Sequence, residues 1–177
     1  DSDPATIAQH LAWSRQANIR LWVTSWWGDG TREDITTKEV ILNHPDLKNH
    51  KIALFYETFG RIRQDEELST HRVVPDIEYM CEEYFDHPNY YRIDGRPVLF
   101  VYLTRTLETL GNLDTIINLM KQTARSKGHD LYIVGDHVFG RAPNIFADEV
   151  YTPFETLDAA TNYDVYGSMG ALGGYAG

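Results

Sequence analysis

Apolar runs alternate along this chain with segments whose apolar residues recur at helical spacing. Runs rich in β-branched and aromatic residues predict buried strands at 19–27, 51–57, 98–102 and 131–135, with a weaker fifth at 149–152. The segments between them predict helices at 4–18, 34–43, 75–84 and 113–126. Asp3 and Pro4 are typical of a helix start, as the N-cap and the first helical residue.

The alternation of strands and helices predicts the fold class. It implies parallel strands joined by right-handed crossovers, and the continuous apolar strands imply a sheet that is covered on both faces. An open doubly wound sheet and a (β/α)8 barrel both fit this order. The barrel is favoured because several strands end in polar or aromatic residues, and the functional residues of barrels collect at that edge.

The length of 177 residues changes this picture. A full barrel has eight βα units and usually needs about 200 residues or more, whereas about five units are recognisable. We therefore expect one α/β domain over residues 1–177, an incomplete (β/α)8 TIM-type barrel, with residues 166–177 as a glycine-rich loop or frayed end. The chain does not start with Met and shows no signal peptide, so we expect a mature, trimmed or partial chain.

Composition and motifs exclude several classes of function. A net charge of −10 argues against a broad surface for nucleic acid or anionic membranes, and no apolar run approaches the roughly 20 residues of a membrane span. The single cysteine cannot form an internal disulfide. No Gly-x-Gly-x-x-Gly follows a strand, no Walker loop or Gly-x-Ser-x-Gly elbow is present, and the seven histidines lack the spacing of metal ligands. We therefore expect no metal site.

Glu57 is a candidate for chemistry because it stands where the second strand leaves the sheet. In one interpretation its carboxylate binds sugar hydroxyls or moves a proton. In the other, Glu57 pairs with Arg61, four residues further on, and fixes the loop.

Two further pairs of residues follow strands. Trp26 and Trp27 close the first strand, and because adjacent strand residues point to opposite faces, at most one of them lines a cleft. That indole is either a stacking platform for a sugar ring or part of the core. Asp136 and His137 end the fourth strand, where they suit proton transfer or hydroxyl binding better than metal binding.

Several stretches together resemble one family of enzymes. They are Ser25-Trp26-Trp27-Gly28, Phe55-Tyr56-Glu57-Thr58-Phe59-Gly60-Arg61, Asp76-Ile77-Glu78-Tyr79, Tyr84 with His87-Pro88-Asn89-Tyr90, the segment 94–102 and Gly135-Asp136. Over roughly residues 3 to 155, their order and spacing are similar to glycoside hydrolase family 99, the endo-α-1,2-mannosidases and endo-α-1,2-mannanases.

The resemblance implies a (β/α)8 barrel that cleaves within α-mannosides and needs no metal or organic cofactor. In this family one Glu acts as a base while the 2-hydroxyl of the sugar attacks the anomeric carbon and forms a 1,2-anhydro sugar. A second Glu acts as the acid on the leaving group. The resemblance also implies a secreted, periplasmic or Golgi-lumenal protein.

This sequence departs from the family at the catalytic glutamates. The family carries them in a stretch like Asn-Glu-Trp-x-Glu-Gly, but none of the eleven glutamates in this chain has another glutamate three positions on. No catalytic residue can therefore be assigned. The resemblance assigns instead the early half of a sugar cleft, with the substrate-binding candidates Trp26, Trp27, Tyr56, Glu57, Arg61, Tyr102 and Asp136.

We therefore expect the N-terminal and central part of a mannoside-cleaving barrel, whose partner is an α-mannoside oligosaccharide or polysaccharide. Two alternatives stay open. The first is a different glycosidase with Glu57 and Asp136 as its carboxyl pair, about 5–5.5 Å apart if it retains configuration and about 6.5–9.5 Å apart if it inverts. The second is a non-catalytic carbohydrate-binding remnant, which binds sugar without turnover.

Overall fold

A computed structural model describes residues 2–64, 67–137 and 156–163 of the chain. In these ranges the strands are β1 (Leu21–Trp26), β2 (Lys51–Tyr56), β3 (Arg63–Gln64), β4 (Glu67–Leu68), β5 (Arg92–Ile93), β6 (Arg96–Val101), β7 (Tyr132–Asp136) and β8 (Ala159–Thr161). The α-helices are α1 (Pro4–Gln16), α2 (Arg32–Ile35), α3 (Val73–Met80), α4 (Thr104–Thr109) and α5 (Leu113–Ser126). Two π-helical segments, Thr36–Ile41 and Cys81–Phe85, continue α2 and α3.

The strand order distinguishes between the two folds that fit the sequence. The main sheet runs β1-β2-β6-β7-β8 with every neighbouring pair parallel, and β5 adds an antiparallel pairing to β6. This order follows the order along the chain, whereas an open doubly wound sheet reverses its strand order at a switch point. The doubly wound alternative is therefore wrong, and the described strands are laid out as in a barrel.

The local signals of the sequence predict most elements well. Asp3 caps α1, because its carboxylate accepts hydrogen bonds from the backbone N–H groups of Ala5 and Thr6, and Pro4 is the first helical residue. The helix predicted at 113–126 is α5, and the four strongest strands begin and end within two residues of their predicted bounds. Capping chemistry and apolar spacing therefore fix these elements locally.

The second and third predicted helices differ from expectation in their geometry. Each begins as a short α-helix, at Arg32 and Val73, and ends as a π-helical segment, at Ile41 and Phe85. Each π-helical segment has only six or five residues, about one turn, which is too short for the spacing of apolar residues to distinguish it from an α-helical turn.

The end of the chain carries two sequence-based predictions that cannot be compared with the structure. The fifth strand predicted at 149–152 and the glycine-rich segment at 166–177 both lie outside the described residues. The fifth parallel strand in the described part is β8, which has only three residues and pairs with β7.

The two faces of the sheet have different surroundings. On the helix face, Leu54, Leu99 and Ile133 stand in register, are fully buried, and belong to the core that the helices complete. The opposite face, called the inner face below, carries the register row of Ser25, Phe55, Phe100 and Val134. In the part of the chain that is described, no helix has the length and apolar character to cross a membrane.

Gly135 provides a test of packing between β7 and its neighbours. A Cβ at this position would lie 2.6 Å from Cδ1 of Leu157 and 2.7 Å from Oγ1 of Thr104. We expect Gly135→Ala to destabilise the fold by about 1–3 kcal/mol, the usual cost of overpacking a core. Urea denaturation measures this cost, which should be smaller in a Leu157→Ala background because one close contact is then absent. Equal costs in the two backgrounds would contradict this packing.

Candidate functional site: the carboxyl edge of the parallel sheet

The candidate residues collect at one edge of the sheet. Trp26 and Trp27 are at the end of β1, Tyr56 and Glu57 at the end of β2, Tyr102 directly after β6, and Asp136 at the end of β7. These four strands are neighbours in the order β1-β2-β6-β7, so their carboxyl ends meet. The structure thus brings together at one edge all the strand ends that the sequence singled out.

The pleat of the strands divides these candidates into two groups. Trp26, Tyr56 and Val101 stand in one register row, on the helix face. The next position of each chain turns to the inner face, where Tyr102 contacts the ring of Phe55 and Glu57 is hydrogen-bonded to Ser25. A residue in an extended chain points away from the side that its neighbour occupies. Glu57 and Tyr102 therefore belong to the inner face, and Trp26 and Tyr56 do not. For Trp27, which directly follows the last residue of β1, the alternation predicts the inner face.

Aromatic rings line the inner face. The ring of Phe55 lies 5.6 Å from that of Tyr102 and 5.3 Å from that of Tyr163, and the two tyrosine rings meet edge to face at 5.9 Å. A cavity of about 310 Å³ opens beside them. Its lining consists of Val23, Ser25, Phe55, Phe100, Thr161, Asn162 and Tyr163. The cavity therefore presents flat apolar rings together with hydroxyl and amide groups.

Glu57 is only 6% exposed and is hydrogen-bonded to Ser25, which lines this cavity. Burial raises the pKa of its carboxyl above the ordinary value, the hydrogen bond from Ser25 opposes the rise, and the negative charge of Asp136 adds to it. Glu57 therefore keeps its proton to a higher pH than an exposed glutamate does.

Asp136 is fully buried and connects two loops. Its Oδ2 accepts a hydrogen bond from the backbone N–H of Leu103 at 3.4 Å, and its Oδ1 accepts one from the N–H of Tyr163 at 3.1 Å. Leu103 has a φ of 53°, a left-handed conformation that is uncommon for a non-glycine residue. The carboxylate thus holds in place the backbone of the two loops that carry Tyr102 and Tyr163.

His137 lies behind Asp136 and contacts α4. Its Nδ1 is 3.2 Å from Oγ1 of Thr104, and its Nε2 is 3.2 Å from a carboxylate oxygen of Glu108. Desolvation lowers the pKa of the imidazole, although the charge of Glu108 works in the opposite direction. The imidazole is thereby placed to fix α4 against β7.

On the helix face, Trp26 is fully buried, so it cannot offer its ring to a ligand. Its Nε1 donates a hydrogen bond to Oδ1 of Asp34 at 2.9 Å, and its ring stacks on that of Tyr56 at 5.8 Å. Trp27, in contrast, is 42% exposed. The sequence-based expectation that at most one indole lines a cleft therefore leaves Trp27 as the candidate. A direct sugar contact by Trp26 or by the equally buried Tyr56 stays a prediction that their burial does not favour.

Arg61 forms its ion pair with Asp76 of α3. Its Nε donates to Oδ2 of Asp76 at 2.9 Å, its Nη2 donates to Oδ1, and the hydroxyl of Tyr56 donates to the same carboxylate at 2.8 Å. The alternative in which Arg61 pairs with Glu57 is therefore wrong, because Arg61 lies on the helix face and Glu57 on the inner face. Direct binding of a sugar by Arg61 stays a prediction that its engagement with Asp76 does not favour.

Asp34 is a second buried carboxylate on the helix face. It accepts hydrogen bonds from the hydroxyls of Tyr84 and Tyr79, from Nε1 of Trp26 and from the backbone N–H of Gly30. Desolvation works to raise the pKa of Asp34, but these hydrogen bonds outweigh it and hold the pKa below its usual range. The carboxylate therefore stays ionised and ties the loop after β1 to α3 and the π-helical segment behind it.

The residues that sequence reasoning did not single out fall into two classes. Ser25, Phe55 and Phe100 could have been found from the period-two alternation, counted back two positions from Trp27, Glu57 and Tyr102. Asp34, as a buried acceptor, and Tyr163, in an irregular segment, carry no local signal. Among the residues that the structure describes, no group of three or more His, Cys, Asp or Glu side chains is arranged to hold a metal ion.

Replacement of Asp34 tests the importance of its hydrogen bonds. We expect Asp34→Ala to lower the free energy of unfolding by about 3 kcal/mol or more, because several buried donors lose their acceptor. Asp46→Ala is the matched control: Asp46 forms an exposed ion pair with Lys48 at 3.6 Å and should change stability little. Chemical denaturation at pH 7 measures both.

Acid should reduce the difference between wild type and Asp34→Ala. The pKa of Asp34 is lowered in the folded state, so its contribution is complete above the unfolded value of about 3.9 and is lost as the pH falls further. A difference in stability that is the same at pH 3 and pH 7 would show that the charge of Asp34 is unimportant.

Comparisons with the sequences and structures of known proteins point to one family. A family model described as glycosyl hydrolase family 99 matches residues 1–171. The glycoprotein endo-alpha-1,2-mannosidase of Mus musculus is 26% identical over 180 residues, in a match that covers 94% of this chain and 37% of that protein. The chain thus spans about a third of the length of this relative.

Solved structures show the same fold. The endo-alpha-mannosidase of Bacteroides thetaiotaomicron, in complex with BIS-TRIS-propane, superposes with a TM-score of 0.60 at 22% identity, covering 78% of this chain and 41% of that one. A glycoside hydrolase-like protein matches with a TM-score of 0.54 at 18% identity, covering 75% and 43%. These neighbours in the family are TIM barrels, so the prediction of a partial (β/α)8 barrel is confirmed. The match of the family model over nearly the whole sequence shows that the chain belongs to glycosyl hydrolase family 99.

Proposed function

We propose that the inner face of this sheet binds α-mannose-containing glycans and supplies the first half of the cleft of an endo-α-1,2-mannosidase. The observation that carries the proposal is the convergence of Trp27, Glu57 and Tyr102 at the carboxyl edge of neighbouring strands in a chain of this family. That edge is where (β/α)8 enzymes place their functional residues.

The chemistry of the inner face supports a carbohydrate ligand. Trp27 offers an exposed indole, and the rings of Phe55, Tyr102 and Tyr163 form a second apolar surface beside the cavity. C–H groups of a sugar pack on such rings, while its hydroxyl groups need hydrogen-bond partners at the rim of the rings. The carboxylate of Glu57 and the hydroxyl of Ser25 are placed to meet that need.

Glu57 is proposed to accept a hydrogen bond from a sugar hydroxyl rather than to cleave the glycosidic bond. A charge-assisted hydrogen bond of this kind is stronger than one between neutral groups, and it is available only when the carboxyl is ionised. The family cleaves α-mannosides with two glutamates three positions apart, and no glutamate of this chain has that spacing. We therefore assign binding to these residues and no bond-breaking step.

The curated mouse relative is about three times longer than the matched segment. Hydrolysis of an internal α-1,2-mannosidic bond is accordingly proposed for the complete architecture of the family, and glycan binding for the residues of this chain. A carbohydrate-binding remnant without turnover would use the same binding site. Only an assay for hydrolysis products would distinguish it from an enzyme.

The alternative glycosidase, with Glu57 and Asp136 as its carboxyl pair, has one observation in its favour. The charge of Asp136 contributes to the raised pKa of Glu57, as is usual when two carboxyls interact. Against it, both oxygens of Asp136 accept backbone hydrogen bonds and its side chain is fully buried. Hydrolysis of a mannoside by the wild-type chain that Asp136→Asn abolishes, with sugar affinity preserved, would favour this alternative.

Replacement of Trp27 tests the aromatic surface. We expect Trp27→Ala to weaken binding of an α-1,2-linked mannotriose by about tenfold, the scale for removing a central aromatic contact. Trp13→Ala is the matched control, since Trp13 is an even more exposed indole (56%) on α1, away from the carboxyl edge. Isothermal titration calorimetry measures both, with cellotriose as the control sugar. Equal losses in the two variants, or equal affinity for both sugars, would contradict the proposed site.

Replacement of Glu57 separates binding from folding. We expect Glu57→Gln to weaken mannotriose binding by about tenfold, because a hydrogen bond to a charged group is lost. The same change should leave the melting temperature equal or higher, because the raised pKa means that the buried carboxylate destabilises the fold at neutral pH. Glu78→Gln on the partly exposed side of α3 is the control and should change neither quantity.

The pH dependence of binding gives an independent check on Glu57. Affinity of the wild type should fall as the pH drops through the raised pKa of this carboxyl, above the value of about 4.3 for an exposed glutamate. Glu57→Gln should show no such step. A step that persists in the variant would assign the titration to another group.

A further inference from the structure

Trp27 lies in the loop after β1, and other residues contact the two positions on either side of it. Its indole is 42% exposed, and no described residue forms a hydrogen bond or a ring contact with it. The backbone on either side, at Trp26 and Gly28, therefore contributes to the direction in which the ring points. Both of these neighbours touch the guanidinium of Arg61.

On the first side, Arg61 covers Trp26. The Cζ atom of Arg61 lies 5.3 Å from the centre of the Trp26 ring, which is the distance of a cation–π contact. The same indole donates to Asp34, so Trp26 is fixed both by its ring face and by its nitrogen. The residue before Trp27 consequently has little freedom to move.

On the second side, Arg61 packs against Gly28. A Cβ at residue 28 would lie 2.6 Å from Nη1 of Arg61 and 3.0 Å from its Cζ, and the φ of 130° also requires glycine. Nη1 is the guanidinium nitrogen that does not face Asp76, since Nε and Nη2 bind that carboxylate. The planar guanidinium of Arg61 thus contacts Asp76 of α3 along one edge and the loop after β1 along another.

The guanidinium is itself held firmly. Its side chain is only 11% exposed, and the carboxylate of Asp76 that binds it in two-pronged fashion is buried in α3 and also accepts from Tyr56. A fork-to-carboxylate pair fixes orientation as well as distance, which a lysine ammonium cannot do. Burying two charges is costly, so a pair that only bridges two elements is a weak source of stability.

We infer that Asp76 and Arg61 are positioning residues, which set the orientation of Trp27 by holding the backbone on both sides of it. Neither residue touches the ligand. This inference rests on the proposed function for its effect on glycan affinity, but the placement of Trp27 can be measured without any glycan. Loosening the pair should make the indole mobile, and a ligand must then order it again on binding.

The test uses the chain labelled with 5-fluorotryptophan, whose four indoles give fluorine NMR signals that single Trp→Phe changes assign. Arg61→Lys keeps the positive charge beside Asp76 but removes the fork, and Asp76→Asn keeps the size of the side chain but removes its charge. We expect the Trp27 signal to shift or broaden in both variants and mannotriose to bind about tenfold more weakly. Arg96→Lys is the matched control, because Arg96 forms an ion pair with Asp158 at 2.8 Å and lies over the ring of Tyr132, at the opposite end of the sheet. It should leave the Trp27 signal and the affinity unchanged.

Each result of this experiment either supports or overturns the inference about Trp27. An unchanged Trp27 signal in folded Arg61→Lys overturns the inference. An altered signal with unaltered affinity confirms the positioning and instead contradicts the proposed role of Trp27 in glycan binding. If Arg61→Lys and Asp76→Asn do not fold, Gly28→Ala displaces the guanidinium from the other side and must alter the same signal. If the wild type binds no mannotriose, the proposed function fails, and the Trp27 signal alone still confirms or overturns the positioning.

Discussion

The parallel register of β1, β2, β6 and β7 determines which side chains of this protein meet. Register places Ser25, Phe55, Phe100 and Val134 in one row on the inner face, and Trp26, Tyr56, Val101 and Gly135 in one row on the helix face. A slip of one residue in any pairing would exchange the two rows, moving an aromatic ring or a carboxylate from the inner face into the core. The separation between the inner face and the supporting network on the helix face therefore follows from the pleat of the sheet.

The supporting network on the helix face is built around two buried carboxylates. Asp34 gathers neutral donors from an indole, two phenols and a backbone amide, whereas Asp76 pairs with a guanidinium and one phenol. In both arrangements, hydrogen-bond donors or a positive charge surround the oxygens of a buried carboxylate, because a buried charge without such partners would be costly. Because the donors come from different elements, the loops after β1 and β2 and the start of α3 hold one common geometry.

Much of the fold follows from local patterns in the sequence. The cap at Asp3, the amphipathic spacing of α5 and the apolar runs of the strands are each determined by a few neighbouring residues, and the structure agrees with them. The strand-end rule also predicted that the candidate residues share one edge of the sheet, and the structure brings their strand ends together there. The partners of Arg61 and Trp26 were not predictable in this way, because Asp76 and Asp34 come from helices and are selected by tertiary packing. Likewise, the π-helical ends of two helices depend on what they pack against, which apolar spacing does not specify.

The close approach of Arg61 to Gly28 has a consequence for the evolution of this loop. Residue 28 has no room for a side chain while the guanidinium is present, and Arg61 loses one of its contacts if the loop moves away. A side chain at 28 therefore needs both a shorter residue at 61 and a different backbone conformation, because the φ of 130° disfavours any residue with a Cβ. A change at residue 28 or residue 61 alone therefore alters the packing beside the backbone that carries the exposed indole.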